Sequence, residues 1–274
     1  MASKPISNAA CGLFNVALKK GKNLKLYRAI QNAGRLFFAA AIFLACFSVL
    51  VPEGQTADRT EILRYVVTWN GSQAGHGDIA TKRNGRIIDV TAQAVSDGVL
   101  KAITEMWSRI QATFSDKTFQ PLTYNYAFRS NLGSPELVAL TFDHKTKLVN
   151  VDKVKGKEKE NHAEQCAGVY DPISAAFLLR NRKDFTKPMF VDIYDGKGKS
   201  RLFVTYLGND RLNLQTGQHP AVCLNLRLVK LHGDKSEVGT GKLWISDDEA
   251  RIPLVLTSSP IVGTIRFELV QAQL

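Results

Sequence analysis

The sequence predicts a mainly β protein, an antiparallel and strongly curved sheet or incomplete β-barrel holding one short buried helix at about residues 171–181. Three observations predict it. Apolar and polar side chains alternate with a period of two along most of the chain, short glycine- and asparagine-containing clusters separate these stretches, and one segment opening with Asp171-Pro172 is apolar nearly all round.

The alternation begins with Leu63, Tyr65, Val67 and Trp69 set against Arg64, Val66, Thr68 and Asn70. It recurs at Met106, Ile110, Ala112 and Phe114, at Leu122, Tyr124, Tyr126 and Phe128, and at Val138, Leu140 and Phe142. Later come Leu202, Val204 and Tyr206, then Val222, Leu224, Leu226 and Leu228, and finally Ile265, Phe267 and Leu269. Successive strand residues face opposite sides, so each stretch presents one apolar face to a core. Between them, Asn70-Gly71-Ser72, Asn84-Gly85, Leu132-Gly133-Ser134-Pro135, Asp195-Gly196-Lys197-Gly198, Gly208-Asn209-Asp210 and His232-Gly233-Asp234 are predicted turns. Glycine and asparagine tolerate the positive φ of tight hairpins, which join antiparallel neighbours. The charged stretch from Lys153 to Glu164 is predicted to be a loop. Asp171 as N-cap with Pro172 in the first helical position starts the helix, and Ile173, Ala175, Ala176, Phe177, Leu178 and Leu179 require its burial on most sides.

Residues 1–57 differ from the rest. A basic stretch without acids precedes the apolar run Leu36 to Val51, broken only by Ser48 and followed by Pro52, which is the layout of an export signal. Its 16 residues fall short of the roughly 20 that span a bilayer, favouring a cleaved signal over an inner-membrane anchor. Residues 58–274 form the predicted single β-rich domain. Cys166 and Cys223 lie in this part; in an oxidising compartment they either pair or serve as small buried hydrophobes.

Charge and motif content narrow the function classes. The formal charge is +11, but seven of 36 bases and only one of 25 acids precede residue 58, leaving 29 bases against 24 acids. That mild surplus, with no aromatics interleaved among Lys153, Lys155, Lys157 and Lys159, argues against nucleic acid as a partner. The five histidines show no metal-ligand spacing, so no metal and no cofactor is expected. Gly71-Ser72-Gln73-Ala74-Gly75 lacks the spacing of a nucleophile elbow, and Gly239-Thr240-Gly241-Lys242 reads as a hairpin rather than a phosphate loop. Ser246-Asp247-Asp248 reads as an Asx-type turn with Arg251 as a counter-charge.

Three blocks resemble a known family: Tyr170 to Phe177 with Arg180, Leu243 to Asp248 with Arg251 to Leu254, and Gly263-Thr264-Ile265. Together with Tyr65 to Gly71 and Thr216-Gly217 they resemble the bacterial exported family called domain of unknown function 3108, over nearly all of residues 60–272. The resemblance implies a β-rich protein of the periplasm or cell envelope of a Gram-negative bacterium, with no assigned reaction. It marks Trp69, Asp171, Ser174, Arg180, Trp244, Asp247, Asp248, Arg251 and Pro253 as motif positions of structural type.

Two function classes follow. The first is a non-enzymatic envelope protein that binds an apolar or envelope-derived ligand, lipid or glycan, with Tyr124, Tyr126, Phe128, Phe142 and Phe177 as candidate contacts. The second is a hydrolase of envelope glycan using Asp171, Asp247 or Asp248, which requires two carboxylates to converge. The lack of a recognised catalytic constellation favours the first. A scaffold tethered to the inner membrane follows if the leader stays attached.

Overall fold

The computed structural model describes residues 60–233, 237–259 and 263–274; the leader, with its apolar run, lies outside them. Fourteen strands and two short helices occur among the described residues. In chain order they are β1 (Thr60–Trp69), β2 (Ser72–Asn84), β3 (Ile87–Ser96), α1 (Gly98–Lys101), β4 (Met106–Ser115), β5 (Pro121–Ser130), β6 (Gly133–Asp143), β7 (Leu148–Lys155), β8 (Glu158–Gln165), α2 (Pro172–Arg180), β9 (Met189–Tyr194), β10 (Lys199–Leu214), β11 (Gly217–Lys230), β12 (Glu237–Ser246), β13 (Pro253–Ser258) and β14 (Ile265–Gln273).

All strands belong to one 14-stranded antiparallel sheet, ordered β8-β7-β6-β5-β4-β3-β2-β1-β14-β13-β12-β11-β10-β9. The chain meanders outward from β1 to β8, crosses by way of α2, and meanders back from β9 until β14 pairs with β1. Tight turns make this order. At β1–β2, Asn70 and Gly71 both have positive φ, 49° and 82°, and this turn hand matches the twist of the flanking strands. The sheet is thus a barrel left open between edges β8 and β9.

Alternation decides what the concave face carries. Leu63, Ile79, Ala92, Ile110, Tyr126 and Val138 stand in register across six neighbouring strands, forming one inward row. Helix α2 lies within this concavity. Every residue from Pro172 to Arg180 except Leu178 is buried, and the Phe177 ring sits 4.7 Å from that of Phe114 on β4. The Asp171 carboxylate accepts from the backbone N–H groups of Ile173 (2.7 Å) and Ser174 (3.1 Å), satisfying donors that no helical carbonyl reaches.

Side chains and one short parallel bridge span the open seam. Tyr170 N–H donates to Asp192 C=O, and Tyr194 N–H donates to Tyr170 C=O, each at 2.9 Å. The Lys199 ammonium, on β10, reaches the Gln165 carbonyl and Glu164 at the end of β8. The β9–β10 turn enters the concavity: Gly196 lies so close to β6 that an added Cβ would meet Val138 Cγ1 at 2.5 Å.

Three local expectations are corrected. The charged stretch from Lys153 to Glu164 is not a loop but the end of β7 and most of β8. Its residues are polar on both faces because β8 is a solvated sheet edge, where charge opposes unwanted strand pairing. Gly208-Asn209-Asp210 is not a turn; it lies inside β10, where Gly208 (φ 138°) forms a bulge opposite Cys223. Gly239-Thr240-Gly241-Lys242 is not a hairpin but part of β12, and Gly241 is required because a Cβ there would collide with the Thr257 carbonyl on β13. Cys166 and Cys223 are free and buried, the second of the two alternatives open from sequence.

The Gly196 contact yields a stability contrast. Gly196→Val adds a β-branched side chain at φ 81° against Val138, and strain plus overpacking should cost about 3 kcal/mol. Gly85→Ala, at φ 57° in open space, should cost about 1 kcal/mol. Urea unfolding of the two variants measures the difference, and equal losses would contradict the packed position of the turn.

Candidate functional site

The interior presents two features with chemical character, joined by Tyr65, which lines the second and donates to Pro253 in the first. The first surrounds the C-terminus of α2. There Arg180, 2% exposed, donates through Nε to the Ala250 carbonyl at 2.7 Å and through Nη2 to Glu61 Oε2 at 3.4 Å. Glu61 is on β1 and is itself buried; Ala250 lies in the β12–β13 connection. That connection is held by its own side chains. Ser246 Oγ donates to Asp248 Oδ1 (2.7 Å), Arg251 N–H donates to the same oxygen (2.9 Å), and Ile252 N–H donates to Ser246 Oγ (2.7 Å). The next residue, Pro253, accepts from the Tyr65 hydroxyl at 2.9 Å. Burial pushes the Glu61 carboxyl up to about 7, the guanidinium of Arg180 offsetting part of the effect. Burial likewise raises Asp171 to about 6 against the hydrogen bonds of its cap.

The second feature is a narrow trough with a free volume of ≈ 20 Å³, lined mainly by the buried residues Tyr65, Ile79, Ala92, Ala94, Ile110 and Phe267. Its existence follows from side-chain size. Tyr65, Gly77, Ala94, Ser108 and Phe128 are in-register neighbours across β1 to β5, so three small residues lie between two rings. Beside it, the Lys197 ammonium lies 3.2 Å from Glu136 and 5.0 Å from the centre of the Tyr126 ring, and Tyr126 is the cross-strand partner of the trough residue Ile110. A polar pair therefore adjoins an apolar trough.

The family model described as "Protein of unknown function (DUF3108)" matches residues 64–270. The chain belongs to the DUF3108 family. No curated protein matches the sequence. Among solved structures, the DUF3108 chain is similar to the β-barrel-like protein of domain of unknown function DUF1849 from Brucella abortus, at 9% identity and TM-score 0.56, over 78% of this chain and 97% of that one. At this identity the likeness concerns the fold, a β-barrel-like architecture. Two further likenesses are weak: a structure described as "a putative exported protein with YmcC-like fold" from Bacteroides fragilis (8% identity, TM-score 0.35, 83% of this chain and 100% of that one) and one described as "a putative lipoprotein" from Parabacteroides distasonis (12%, 0.34, 83% and 99%).

Four of the nine DUF3108 motif positions, Arg180, Asp248, Arg251 and Pro253, meet at the first feature, and Asp171 and Ser174 hold the opposite end of α2. Asp171 caps α2, Ser174 Oγ donates to the Asp171 carbonyl, and Arg180 joins the helix to the turn built by Asp248, Arg251 and Pro253. Arg251 contributes through its backbone, while its guanidinium lies 4.9 Å over the Phe185 ring, so it is not the counter-charge expected of it. Asp247 is exposed; its backbone N–H donates to Pro220 C=O. Trp244 donates through Nε1 to Asp210 at 2.9 Å, and Trp69 packs partly buried against the core.

The candidate ligand contacts divide. Tyr124, Tyr126, Phe142 and Phe177 are buried in the core, and Phe128 packs on it half-buried at the end of the small-residue row. Asp171, fully buried, and Asp247 and Asp248, both exposed, are not brought together. The last two adjoin Ala250, the partner of Arg180 at the far end of α2, whose nine residues span about 13 Å. Sequence reasoning missed Glu61, Glu136, Lys197 and the small-residue row. Glu61 and Glu136 were open to detection, since each occupies an inward position in an alternating run, Glu61-Leu63-Tyr65-Val67 and Glu136-Val138-Leu140-Phe142.

The Glu61 shift has a definite pH signature. An acid raised by folding binds its proton more tightly when native, so stability falls as pH rises from about 4.5 toward 7. Asp171 adds a fall of the same sign between 3.8 and about 6. Glu61→Gln should remove about 3 kcal/mol of this pH dependence, and most of the decline above pH 6 should vanish. Urea midpoints at a series of pH values test it; an unchanged slope in the variant would refute the buried position of Glu61.

Proposed function

We propose that this protein is an exported, non-enzymatic component of the cell envelope whose half-barrel holds an apolar ligand of acyl-chain type. The observation that carries the reading is the trough formed where Gly77, Ala94 and Ser108 leave space between Tyr65 and Phe128. Its free volume of ≈ 20 Å³ is room for about one water, so the row of small residues marks where the core would part to admit a single narrow chain rather than a preformed pocket. The layout of residues 36–51 supports export. The separation of Asp171 from Asp247 and Asp248 supports binding over hydrolysis, because acid–base work on one bond needs convergent groups. Among the described residues no cluster of three or more histidine, cysteine, aspartate or glutamate side chains is placed to hold a metal ion.

The test is chemical extraction of protein purified from its native envelope fraction, followed by mass spectrometry of the extract. A single acyl-bearing species in near-stoichiometric amount is expected. Ala94→Leu, which fills the trough at a cost of about 1–3 kcal/mol, should fold and lose that species. Recovery of no apolar compound from the native protein, or equal retention by the folded variant, would overturn the proposal.

A further inference from the structure

Buried polar atoms without a partner are few in folded proteins, and each calls for a cause. Two of them stand side by side on β1 and β2. Glu61 and Thr81 are direct cross-strand partners, both on the inward face and both buried, at 6% and 2% exposed. Glu61 Oε1 and Thr81 Oγ1 each lack a hydrogen-bond partner among the described residues. Side chains paired in this way have Cβ atoms about 5 Å apart, so one small oxygen-bearing group reaches both. The charges around them are matched: Arg180 Nη2 lies 3.4 Å from the other oxygen of Glu61, and Arg83, the next residue on that face of β2, lies 3.9 Å from Asp116. The pair also adjoins the trough. Ile79, which lines it, is the inward residue before Thr81 on β2 and pairs with Leu63, the inward residue after Glu61 on β1. Two residues of strand separate such rows by about 7 Å.

We infer that Glu61 and Thr81 bind one neutral hydroxyl group, which donates to the Glu61 carboxylate and accepts from the Thr81 hydroxyl. A hydroxyl oxygen carries one donor and two acceptor sites, which is what a carboxylate oxygen beside a threonine requires. An anionic head fits worse. With Glu61 ionised, Arg180 is already matched, and a second carboxylate or a phosphate would be buried without a counter-charge. The cost of an anion here is visible in Glu61 itself, whose carboxyl burial raises to about 7 despite the guanidinium. Two sources supply such a group: a water held in the core, or the alcohol head of a chain lying in the trough one row away. The second source rests on the acyl-chain reading of the trough; the hydroxyl site itself does not.

The test begins with Thr81→Val, which exchanges the hydroxyl for a methyl group and keeps a β-branched strand residue. In protein as isolated from cells, at pH 8, the variant strands the bound hydroxyl and its urea midpoint should fall below that of the wild type. A midpoint that holds or rises would overturn the inference, because it would mean that Thr81 Oγ1 is buried without any partner to lose. Titration calorimetry of protein freed of extractable apolar compounds, with 1-octanol and with octanoate at pH 8, then identifies the source. An alcohol head predicts that 1-octanol binds the wild type at least about tenfold more tightly than octanoate, that Thr81→Val weakens 1-octanol about tenfold, and that Thr81→Ser, which keeps the hydroxyl, stays within about twofold. A lowered midpoint with 1-octanol affinity untouched by Thr81→Val assigns the hydroxyl to water and upholds the site. A lowered midpoint with no 1-octanol bound by any form upholds it too, and refutes the acyl-chain reading alone. Octanoate bound as tightly as 1-octanol, with the same dependence on Thr81, would overturn the inference by showing that the site takes an anion.

Discussion

A helix apolar on nearly every side is stable in water only when it is enclosed, and enclosing α2 carries the cation of its last turn into the core. Arg180 cannot be solvated there, so its guanidinium is met by the Ala250 carbonyl and by Glu61, whose buried carboxyl ionises beside it only near neutral pH. Leaving one charge of such a pair unmatched typically costs about 3–5 kcal/mol. The rest of the architecture is arranged around that requirement. β1 must place Glu61 inward, against the polarity of its face, and the β12–β13 connection must present a carbonyl at one position. The network of Ser246, Asp248, Arg251 and Ile252 provides that carbonyl. Residues 61, 180 and 250 are distant in sequence, so this single contact ties the first strand, the crossover helix and the C-terminal meander together.

The helix also accounts for the open seam. A fully paired barrel would need β8 and β9 to share a ladder, but the chain between them is occupied by α2 and its approach. Pairing is replaced by the Tyr170 bridge to β9 and by the reach of Lys199 to the end of β8. The β9–β10 turn then enters the concavity near β6, bringing Lys197 to Glu136. Filling from the helix at one end and the turn at the side leaves the space beside Gly77, Ala94 and Ser108 as the described trough. The proposed binding site is in this sense what the packing of α2 leaves over.

Much of this was legible in the sequence, and the parts that were not have physical reasons. Period-two alternation identified strands wherever one face was buried, as in Tyr124-Tyr126-Phe128 and Val138-Leu140-Phe142. It gave no signal for β8, which is exposed on both faces and needs no apolar residue. Asp171-Pro172 gave the helix start because capping is local chemistry. Glycine misled twice: a bulge at Gly208 uses the same positive φ as a turn, and Gly241 is set by a close backbone approach that only the folded sheet reveals. The motif positions were recognisable as a set, but their common purpose was not, since Arg180 and Ala250 meet only across the fold. The trough was hidden because small residues such as Ala92 and Ala94 signal nothing alone and become informative only beside Gly77 and Ser108 in register.

The trough proposed for an acyl chain depends on α2 staying inside the sheet. Amide hydrogen exchange of residues 173–180, followed in the wild type and in Arg180→Met, tests that dependence most directly. The account predicts that these amides exchange as slowly as those of the central strands β1 and β14 in the wild type, and that Arg180→Met speeds them selectively. Exchange of α2 at the rate of the exposed β7–β8 hairpin in the unaltered protein would contradict it.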